Sequence, residues 1–274
     1  MASINRRVLP GFSLTLGYTV FYLSILVLIP ITACFLKAST LSFHEFWDAV
    51  WTERARAAYY LTFGAAFIAA LVNLVLGLLL AWVLVRYTFP GKKIVDSLVD
   101  LPLALPTAVG GLVYASLYVQ KGWLGQYLVP WGIRGAYTRL GIVLVLIFVG
   151  LPFVVRTVQP ILEDLDPESE EAAASLGSTR WQTFRNIILP TLYPALITGF
   201  ALAFARGIGE YGSVVFVSGN MPYKTEIAPI LIVARLEEFA YGEATAIAVV
   251  LLVISFIMLV LINRLERWSM RHEY

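Results

Sequence analysis

Long apolar runs, separated by short charged segments, are the feature that most constrains how this chain folds. A helix rises about 1.5 Å per residue, so about 20 apolar residues cross the hydrocarbon core of a bilayer. Backbone groups in lipid must be hydrogen-bonded within the protein, and a single apolar run achieves this as a helix. The sequence therefore predicts an all-α membrane protein. Its six transmembrane helices are expected at 14–36, 61–85, 98–119, 141–159, 192–215 and 243–262.

The composition excludes several classes of function. Hydrophobic residues make up 59% of the 274-residue chain and charged residues only 14%, whereas soluble domains are about one quarter charged. A net charge of +2 provides no strong field that would attract a nucleic acid. A single cysteine, Cys34, permits no disulfide within the chain, and His44 and His272 form no metal-binding cluster with it.

The sequence also lacks a pattern for catalysis or nucleotide binding. A phosphate-binding loop needs a second glycine directly before its lysine, and the segment 219–225 has no glycine before Lys224. Serine, histidine and aspartate are too scattered to suggest a catalytic triad. We therefore expect a chain that is not an enzyme and holds no cofactor or metal of its own.

Two of the six predicted spans contain residues that disturb a helix or carry charge. These are Pro102, Pro106, Gly110 and Gly111 in the third span, and Arg206, Gly207, Gly209, Glu210 and Gly212 in the fifth. Irregular backbone at membrane depth is tolerated only where it is buried in protein or lines a cavity. The third and fifth spans are therefore the candidates for a translocation pathway.

Basic residues predict the orientation of the chain, because lysine and arginine are enriched in short cytoplasmic segments. The segment between the second and third spans carries Arg86, Lys92 and Lys93, and the N-terminus carries Arg6 and Arg7. This pattern places both termini, and the segment between the fourth and fifth spans, in the cytoplasm.

The first span is predicted to remain as a helix. The sequence 31–34, which ends in Cys34, resembles a lipoprotein processing site. The apolar stretch is, however, far longer than the roughly 7–15 residues of a signal-peptide core. We therefore expect a retained helix rather than a cleaved signal.

A polar segment after the fourth span is predicted to form two short capped helices. Asp166 suits the N-cap, Pro167 the first helical position, and Gly177 the left-handed position that ends the first helix. Thr179 and Gln182 form a capping-box pattern at the start of the second helix. Local chemistry leaves two interpretations open: a rigid plug that docks into a groove on a partner, or a connector that lies on the membrane surface.

The spacing within this polar segment resembles a motif of ABC importer permeases, E-A-A-x3-G-x9-I-x-L-P. The matching residues are Glu171, Ala172, Ala173, Gly177, Ile187, Leu189 and Pro190. The resemblance implies the type I importer permease fold, with a single permease domain over 1–274, a core at 60–265 and a coupling loop at 160–190. In that family a coupling helix between the fourth and fifth transmembrane helices docks on the ATP-hydrolysing subunit. The resemblance thereby assigns ATPase coupling to Glu170, Glu171, Ala172, Ala173, Gly177, Leu189 and Pro190.

Further segments resemble the T-type permease subunit of bacterial sulfate and thiosulfate importers. They are 86–92, 105–109, 150–160 and, most strongly, 205–216. Molybdate permease subunits are similar around Gly209 and Glu210 but less so elsewhere, so molybdate, tungstate or another oxyanion remains an alternative cargo. A stand-alone secondary transporter is the other alternative. The resemblance implies a bacterial inner-membrane location with lipid around it. Its implied partners are a second, W-type permease subunit, two ATPase subunits that bind ATP and Mg²⁺, and a periplasmic sulfate-binding protein.

Arg206 and Glu210 have two possible roles in the predicted pathway. They are four residues apart and share a helical face, and charges within a membrane are costly unless they are paired or face water. Arg206 either attracts a dianion or forms an ion pair with Glu210. The ion pair is favoured, because the adjacent carboxylate would repel sulfate. The full set of pathway candidates is Pro106, Thr107, Arg206, Gly209, Glu210, Tyr211 and Ser213.

Two segments are predicted to lie at the outer face. Apolar residues at helical spacing in 225–239 predict a short helix, which either contributes to a gate or binding-protein dock or only anchors its loop. The segment 37–60 matches no known pattern and is left unassigned. Tyr59, Tyr60 and Trp82 are expected at the membrane interfaces as belt residues.

Overall fold

The computed structural model describes residues 12–270, without the side chains of Ser13 and 265–270. All regular elements in this range are helical, which confirms the predicted all-α class. The α-helices are α1 (Phe12–Leu23), α2 (Ile29–Ala38), α3 (Phe43–Val50), α4 (Glu53–Arg86), α5 (Lys92–Val99), α6 (Leu101–Ala104), α7 (Thr107–Tyr118), α8 (Gly125–Leu128), α9 (Arg139–Glu163), α10 (Pro167–Ser175), α11 (Arg180–Thr183), α12 (Leu189–Ile208), α13 (Val214–Val217), α14 (Ala228–Glu237) and α15 (Tyr241–Met270). Two π-helical segments, Ser24–Leu28 and Phe184–Ile188, join α1 to α2 and α11 to α12.

Within the described residues, five helices are long and apolar enough to cross a membrane. They are Leu14–Ala38, Glu53–Arg86, Arg139–Glu163, Arg180–Ile208 and Tyr241–Arg264. Four of the predicted spans, the first, second, fourth and sixth, each lie inside one of these helices. Arg6 and Arg7, which support the predicted orientation, lie outside the described residues.

The third predicted span is not one continuous helix. The chain is extended at Leu105, with ψ of 139°, as is usual for a residue that precedes a proline. Pro106 then occupies the N-cap of α7. The twelve residues of α7 extend only about 18 Å, which is shorter than the hydrocarbon core. The segment 98–119 is therefore interrupted, as its prolines and glycines suggest, and Pro106 is the physical reason.

The fifth predicted span is shifted toward the N-terminus. It begins at Arg180, because the second helix of the polar segment continues through the π-helical segment into α12. It ends at Ile208 rather than at residue 215. The carboxylate of Glu210 accepts the backbone N–H of Ser213 at 2.9 Å. In a continued helix that N–H would bond to Gly209 instead. The predicted end at 215 is therefore wrong.

The core of the molecule is formed by α4, α9 and α12, which approach one another closely through small residues. Ala66 of α4 is buried beside Gly207 of α12, where an added Cβ would lie 3.1 Å from the Ala66 Cβ. A Cβ on Gly77 of α4 would lie 2.7 Å from Cγ1 of Val154 in α9. Small residues of this kind let apolar helices pack backbone against backbone where no hydrophobic force between helices is available.

The two ends of α4 define two ends of the molecule. At the C-terminal end, which we call the loop end, α4 contacts α10 and the π-helical segment. At the N-terminal end, the far end, Arg54 forms a bidentate ion pair with the buried Glu226, at 2.7 and 2.8 Å. The predicted short helix in 225–239 is confirmed as α14, and it packs on α4 and α15 beside this pair.

Candidate functional site

The polar segment at the loop end forms the predicted capped helices. Asp166 accepts the backbone N–H of Glu168 at 3.0 Å and begins α10. Gly177, at φ of +84°, follows the end of α10, and the N–H groups of Gly177 and Ser178 bond back to Ala174 and Ala173. These two bonds are the Schellman pattern, which satisfies carbonyls at a helix end. Both ends of α10 are therefore fixed by local hydrogen bonds.

The capping box of the second short helix is also present. The Thr179 hydroxyl accepts the Gln182 N–H at 3.3 Å, and the Gln182 side chain accepts the Thr179 N–H at 2.8 Å. Both bonds are reciprocal, as the sequence pattern predicts. This cap fixes the direction in which Arg180–Thr183 leaves the loop.

Exposure divides the predicted coupling residues into three groups. Glu171, Ala172 and Gly177 are exposed at the loop end. Ala173 is only 6% exposed, so it packs inside the chain and offers no surface to a partner. Leu189 and Pro190 are half-buried at the start of α12.

Leu176 is an exposed apolar residue at the tip of this loop. It occupies the C-cap of α10 and is 87% exposed. Sequence reasoning missed it, because a leucine beside three alanines reads as part of a buried face. The signal was its position directly before Gly177, where the chain reverses and a side chain points away from the helix.

Glu170 faces the membrane helices rather than the outside of the loop. Its carboxylate forms an ion pair with Arg86, the last residue of α4, and both side chains are about one quarter exposed. The Arg86 guanidinium also lies over the ring of Trp82, at 5.1 Å from the centroid. Trp82 in turn packs edge-on against Phe184, at 5.5 Å. Trp82 therefore belongs to this junction, and its predicted place at a membrane interface stays a prediction.

A second arginine at the loop end, Arg156, binds two carboxylates. Arg156 of α9 donates to Asp100 at 2.6 and 2.9 Å and to Asp96 at 2.7 Å. It also donates to the side chain of Gln159 and to the backbone carbonyl of Asp96. These bonds hold α5 against α9. Sequence reasoning missed this cluster and the Arg86 pair because the partners are far apart along the chain.

A buried charge pair lies at the end of α12. Glu210 is 1% exposed, and its Oε2 is 2.5 Å from Nη1 of Arg206, whose side chain is 33% exposed. The other carboxylate oxygen accepts the N–H and the hydroxyl of Ser213, at 2.9 and 2.8 Å. Both oxygens of Glu210 are thus engaged, and the ion pair favoured by the sequence is present.

The start of α7 packs against the turn that contains Glu210. A Cβ on Gly212 would overlap the Thr107 hydroxyl, and a Cβ on Gly111 would overlap the Ser213 carbonyl. The structure thus places Thr107 and Ser213, from two different predicted spans, on the same junction between α7 and the turn. The neighbouring pathway candidates Pro106, Gly209 and Tyr211 are exposed. A glycine is required at both contact positions, because any side chain there would separate α7 from the turn.

Comparison with known families explains why these features occur together. The family model described as "Binding-protein-dependent transport system inner membrane component" matches residues 73–271. The chain belongs to this family. It is accordingly a multi-pass protein of the inner membrane and a transport component that works with a binding protein.

Relatives of this transport component extend over almost the whole chain. It is 49% identical over 266 residues to the sulfate transport system permease protein CysT of Salmonella typhimurium, covering 97% of this chain and 96% of the relative. It is 47% identical over 262 residues to the protein of that name from Escherichia coli, covering 96% and 95%. It is 50% identical over 254 residues to the one from Synechocystis, covering 93% and 89%.

Solved structures of ABC transporters share the fold of this transport component. A chain of a bacterial ABC transporter involved in the import of the acidic polysaccharide alginate superposes with a TM-score of 0.78 at 17% identity, covering 93% of this chain and 94% of that one. A chain of the methionine ABC transporter MetNI in an inward-facing conformation has a TM-score of 0.60 at 17% identity, covering 84% and 99%. At these identities the likeness establishes the fold, which is that of an ABC transporter permease.

Proposed function

We propose that this chain is the permease subunit of an ATP-driven importer that carries sulfate, and also thiosulfate, into the cytoplasm. The observation that carries this proposal is its near full-length identity of 47–50% with three sulfate transport permeases. Molybdate or tungstate is the alternative cargo. The permease subunit does not itself hydrolyse ATP, since that activity belongs to other subunits of such transporters.

We propose that the loop end faces the cytoplasm and docks on an ATPase subunit. The exposed residues Glu171, Ala172, Leu176 and Gly177 form the contact surface. A short helix that is capped at both ends loses little conformational entropy on docking, which favours affinity. Both termini then lie in the cytoplasm, and the chain crosses the membrane six times, with the third crossing made by the broken segment 98–119.

Coupling to the membrane helices runs, in this proposal, through Glu170 and the continuous helix Arg180–Ile208. The Arg86–Glu170 ion pair ties α10 to α4. The unbroken run from α11 through α12 joins the same loop to the Glu210 turn. Movement of the docked loop therefore acts on two core helices at once.

We propose that the pathway passes the junction of α7 with the Glu210 turn. Thr107 packs on Gly212 and Ser213 on Gly111 there, and Pro106, Gly209 and Tyr211 are exposed nearby. Glu210 neutralises Arg206 and accepts both Ser213 donors, so this region offers sulfate weak polar contacts, such as the half-buried Thr107 hydroxyl, rather than a strong anion site. Weak contact suits transport, because a cargo that binds tightly in the pathway is not released.

A single chain forms half of such a pathway. The proposed partners are a homologous W-type permease subunit, two ATPase subunits that hold ATP and Mg²⁺, and a periplasmic sulfate-binding protein. A periplasmic binding protein accompanies the alginate ABC transporter in one solved complex, whose permease chain has a TM-score of 0.77 with this one.

Uptake of radiolabelled sulfate tests the function. The chain is expressed with its partner subunits in cells that lack their own sulfate permease. We expect uptake that requires an intact ATPase, is reduced by excess thiosulfate and is not reduced by molybdate. Uptake that persists with an inactive ATPase would establish a secondary transporter instead, and preferential competition by molybdate would establish a molybdate permease.

A further inference from the structure

The segment 37–60, for which the sequence suggested no role, contains a well-formed helix at the far end. Ser42 and Glu45 form a complete capping box at the start of α3. The N–H and hydroxyl of Ser42 hydrogen-bond the Glu45 carboxylate and hold the pKa of Glu45 below its usual range. On one face of α3, Ala49 and Val50 are buried in a cluster with Ala246 of α15. The helix is thus fixed to the bundle along one side only.

The free side of this segment carries three stacked aromatic rings. The centroids of Phe43 and Trp47 are 6.5 Å apart, and those of Trp47 and Trp51 are 5.6 Å apart. All three side chains are exposed. Exposed aromatic rings at the end of a membrane bundle lie at the level of the lipid headgroups, where their apolar bodies and polar edges are both accommodated.

Arg56 lies beside this stack and has no acidic partner among the described residues. Its guanidinium is placed over the Trp51 ring, 5.9 Å from the centroid. Its neighbours at the far end are paired: Arg54 with Glu226, and Arg235 with Glu238. Arg56 is thus an exposed cation at headgroup level whose charge is available to an anion.

An apolar groove runs from Arg56 toward the middle of the bundle. It has a volume of about 430 Å³ and lies between α4 and α15, with Trp51 and Arg56 at one end and Phe63, Gly64 and Met258 further along. From Arg56 to Phe63 the helix rises by about 10 Å. A Cβ on Gly64 would meet no atom within 4 Å, so the groove is open at this position. We call this feature the Arg56 groove.

We propose that the Arg56 groove binds one phospholipid of the surrounding leaflet, with the phosphate on Arg56 and an acyl chain along Phe63, Gly64 and Met258. The positive charge of Arg56 favours a phospholipid in the groove over a helix of another protein. An apolar helix in the groove would bury Arg56 without a partner, whereas a phospholipid supplies a phosphate and a hydrocarbon chain at matching positions. The aromatic stack holds α3 at the depth that this arrangement requires.

Native mass spectrometry of the assembled transporter tests the lipid site, with dioleoylphosphatidylglycerol and the phosphate-free dioleoylglycerol as probes. We expect Arg56→Gln to lower phosphatidylglycerol occupancy by about five-fold, as for loss of a partly exposed ion pair, and to leave diacylglycerol binding unchanged. Arg134→Gln is the matched control, because Arg134 is also exposed and also has no acidic partner among the described residues.

Filling the groove is the second arm of the test. Gly64→Leu places a side chain in open space on a helix that favours leucine, so the protein should fold. We expect it to abolish binding of both probes, whereas Gly17→Leu, also in open space, leaves binding unchanged. Occupancy that is equal in the Gly64→Leu and Gly17→Leu proteins overturns the proposal.

A photo-reactive benzoylphenylalanine at position 60 then identifies the occupant directly, because Tyr60 lines the same groove and is exposed. We expect a cross-link to phospholipid. A cross-link to another protein subunit overturns the proposal, since the groove would then be an interface between chains. Neither result depends on which oxyanion is transported.

Discussion

At the scale of single residues, Glu210 determines how α12 ends. Its carboxylate accepts the Arg206 guanidinium on one oxygen and Ser213 on the other. The side chain therefore performs two tasks, since it neutralises a charge and replaces the helical hydrogen bond that is lost at the turn. Removing only the Glu210 charge leaves the Arg206 guanidinium without its ion-pair partner, which costs free energy of folding.

We predict that Glu210→Gln lowers the free energy of unfolding by about 2 kcal/mol, because it leaves Arg206 unpaired while Arg206 remains partly exposed. The amide oxygen of glutamine still accepts from Ser213, so the turn itself should persist. Thermal unfolding of the purified transporter measures the loss.

The double variant Arg206→Met with Glu210→Gln separates the two roles proposed for Arg206. If the ion pair only stabilises the fold, the double variant has normal stability and normal sulfate uptake. If the double variant has normal stability but reduced uptake, Arg206 acts on the substrate. No loss of stability in Glu210→Gln alone would contradict the importance of the pair.

At the scale of elements, the Arg86–Glu170 ion pair ties α10 to α4. Glu170 points toward Arg86, whereas Glu171, the next residue, is exposed. Adjacent carboxylates on one short helix therefore serve opposite sides of the loop. The first belongs to the connection with α4 and the second to the proposed docking surface.

We predict that Glu170→Gln lowers substrate-stimulated ATP hydrolysis about five-fold, as expected for loss of a half-buried ion pair of about 1 kcal/mol. Affinity for the ATPase subunit should not change, because Glu170 does not face outward. The charge swap Arg86→Glu with Glu170→Arg should restore stimulation. Glu168→Gln is the matched control, since Glu168 is exposed on the same helix and makes no ion pair with any residue that the structure describes. Weaker ATPase binding in Glu170→Gln would show instead that Glu170 docks directly.

The exposed Leu176 permits a separate prediction about docking. Leu176→Asp should weaken ATPase binding by about ten-fold or more, since burying a leucine contributes about 1.5–3 kcal/mol. Leu176→Met keeps the volume and the apolar character and should bind normally. Titration of the ATPase subunit onto reconstituted permease measures both. Equal affinity of the aspartate and methionine variants would remove Leu176 from the contact surface.

Local chemistry explains which elements could be predicted from the sequence. The caps at Asp166, Gly177 and Thr179 depend on residues within a few positions, so their patterns predict α10 and α11 closely. The ends of the third and fifth spans depend on Pro106 and on the Glu210 turn. Hydropathy alone does not register either feature.

Ion pairs between residues far apart along the chain could not be predicted from the sequence. Arg86 and Glu170 are 84 positions apart and Arg156 and Asp100 are 56 apart. Nothing in the residue pattern states that these positions meet. The predicted Arg206–Glu210 pair, by contrast, needed only the spacing of a single helical turn.

At the scale of the whole molecule, the bundle is built on close helix contacts and is tied by arginines at both ends. The Arg86 and Arg156 contacts lie at the loop end, and the Arg54–Glu226 pair lies at the far end. Between them, α4, α9 and α12 pack through small residues. Close packing of small residues thus stabilises the middle of the bundle, and ion pairs stabilise its two ends.

We predict that Gly77→Ala lowers the free energy of unfolding by about 1–3 kcal/mol, because the added methyl would press on Val154. Adding Val154→Ala should recover most of the loss by making room for it. Thermal unfolding in one detergent compares the single and double variants. If the two changes simply add, the helices do not meet at this point.

The continuous helix Arg180–Ile208 has a mechanical consequence. It contains 29 residues and is about 43 Å long, so one continuous helix joins the loop to the Glu210 turn. The points at which it bends most easily, the π-helical segment, Pro190 and Pro194, lie at or before its midpoint. In the proposed coupling, we expect a sideways push at the loop to be absorbed there by bending. We expect a push along the helix axis to reach the Glu210 turn, so axial displacement rather than tilting would carry the signal.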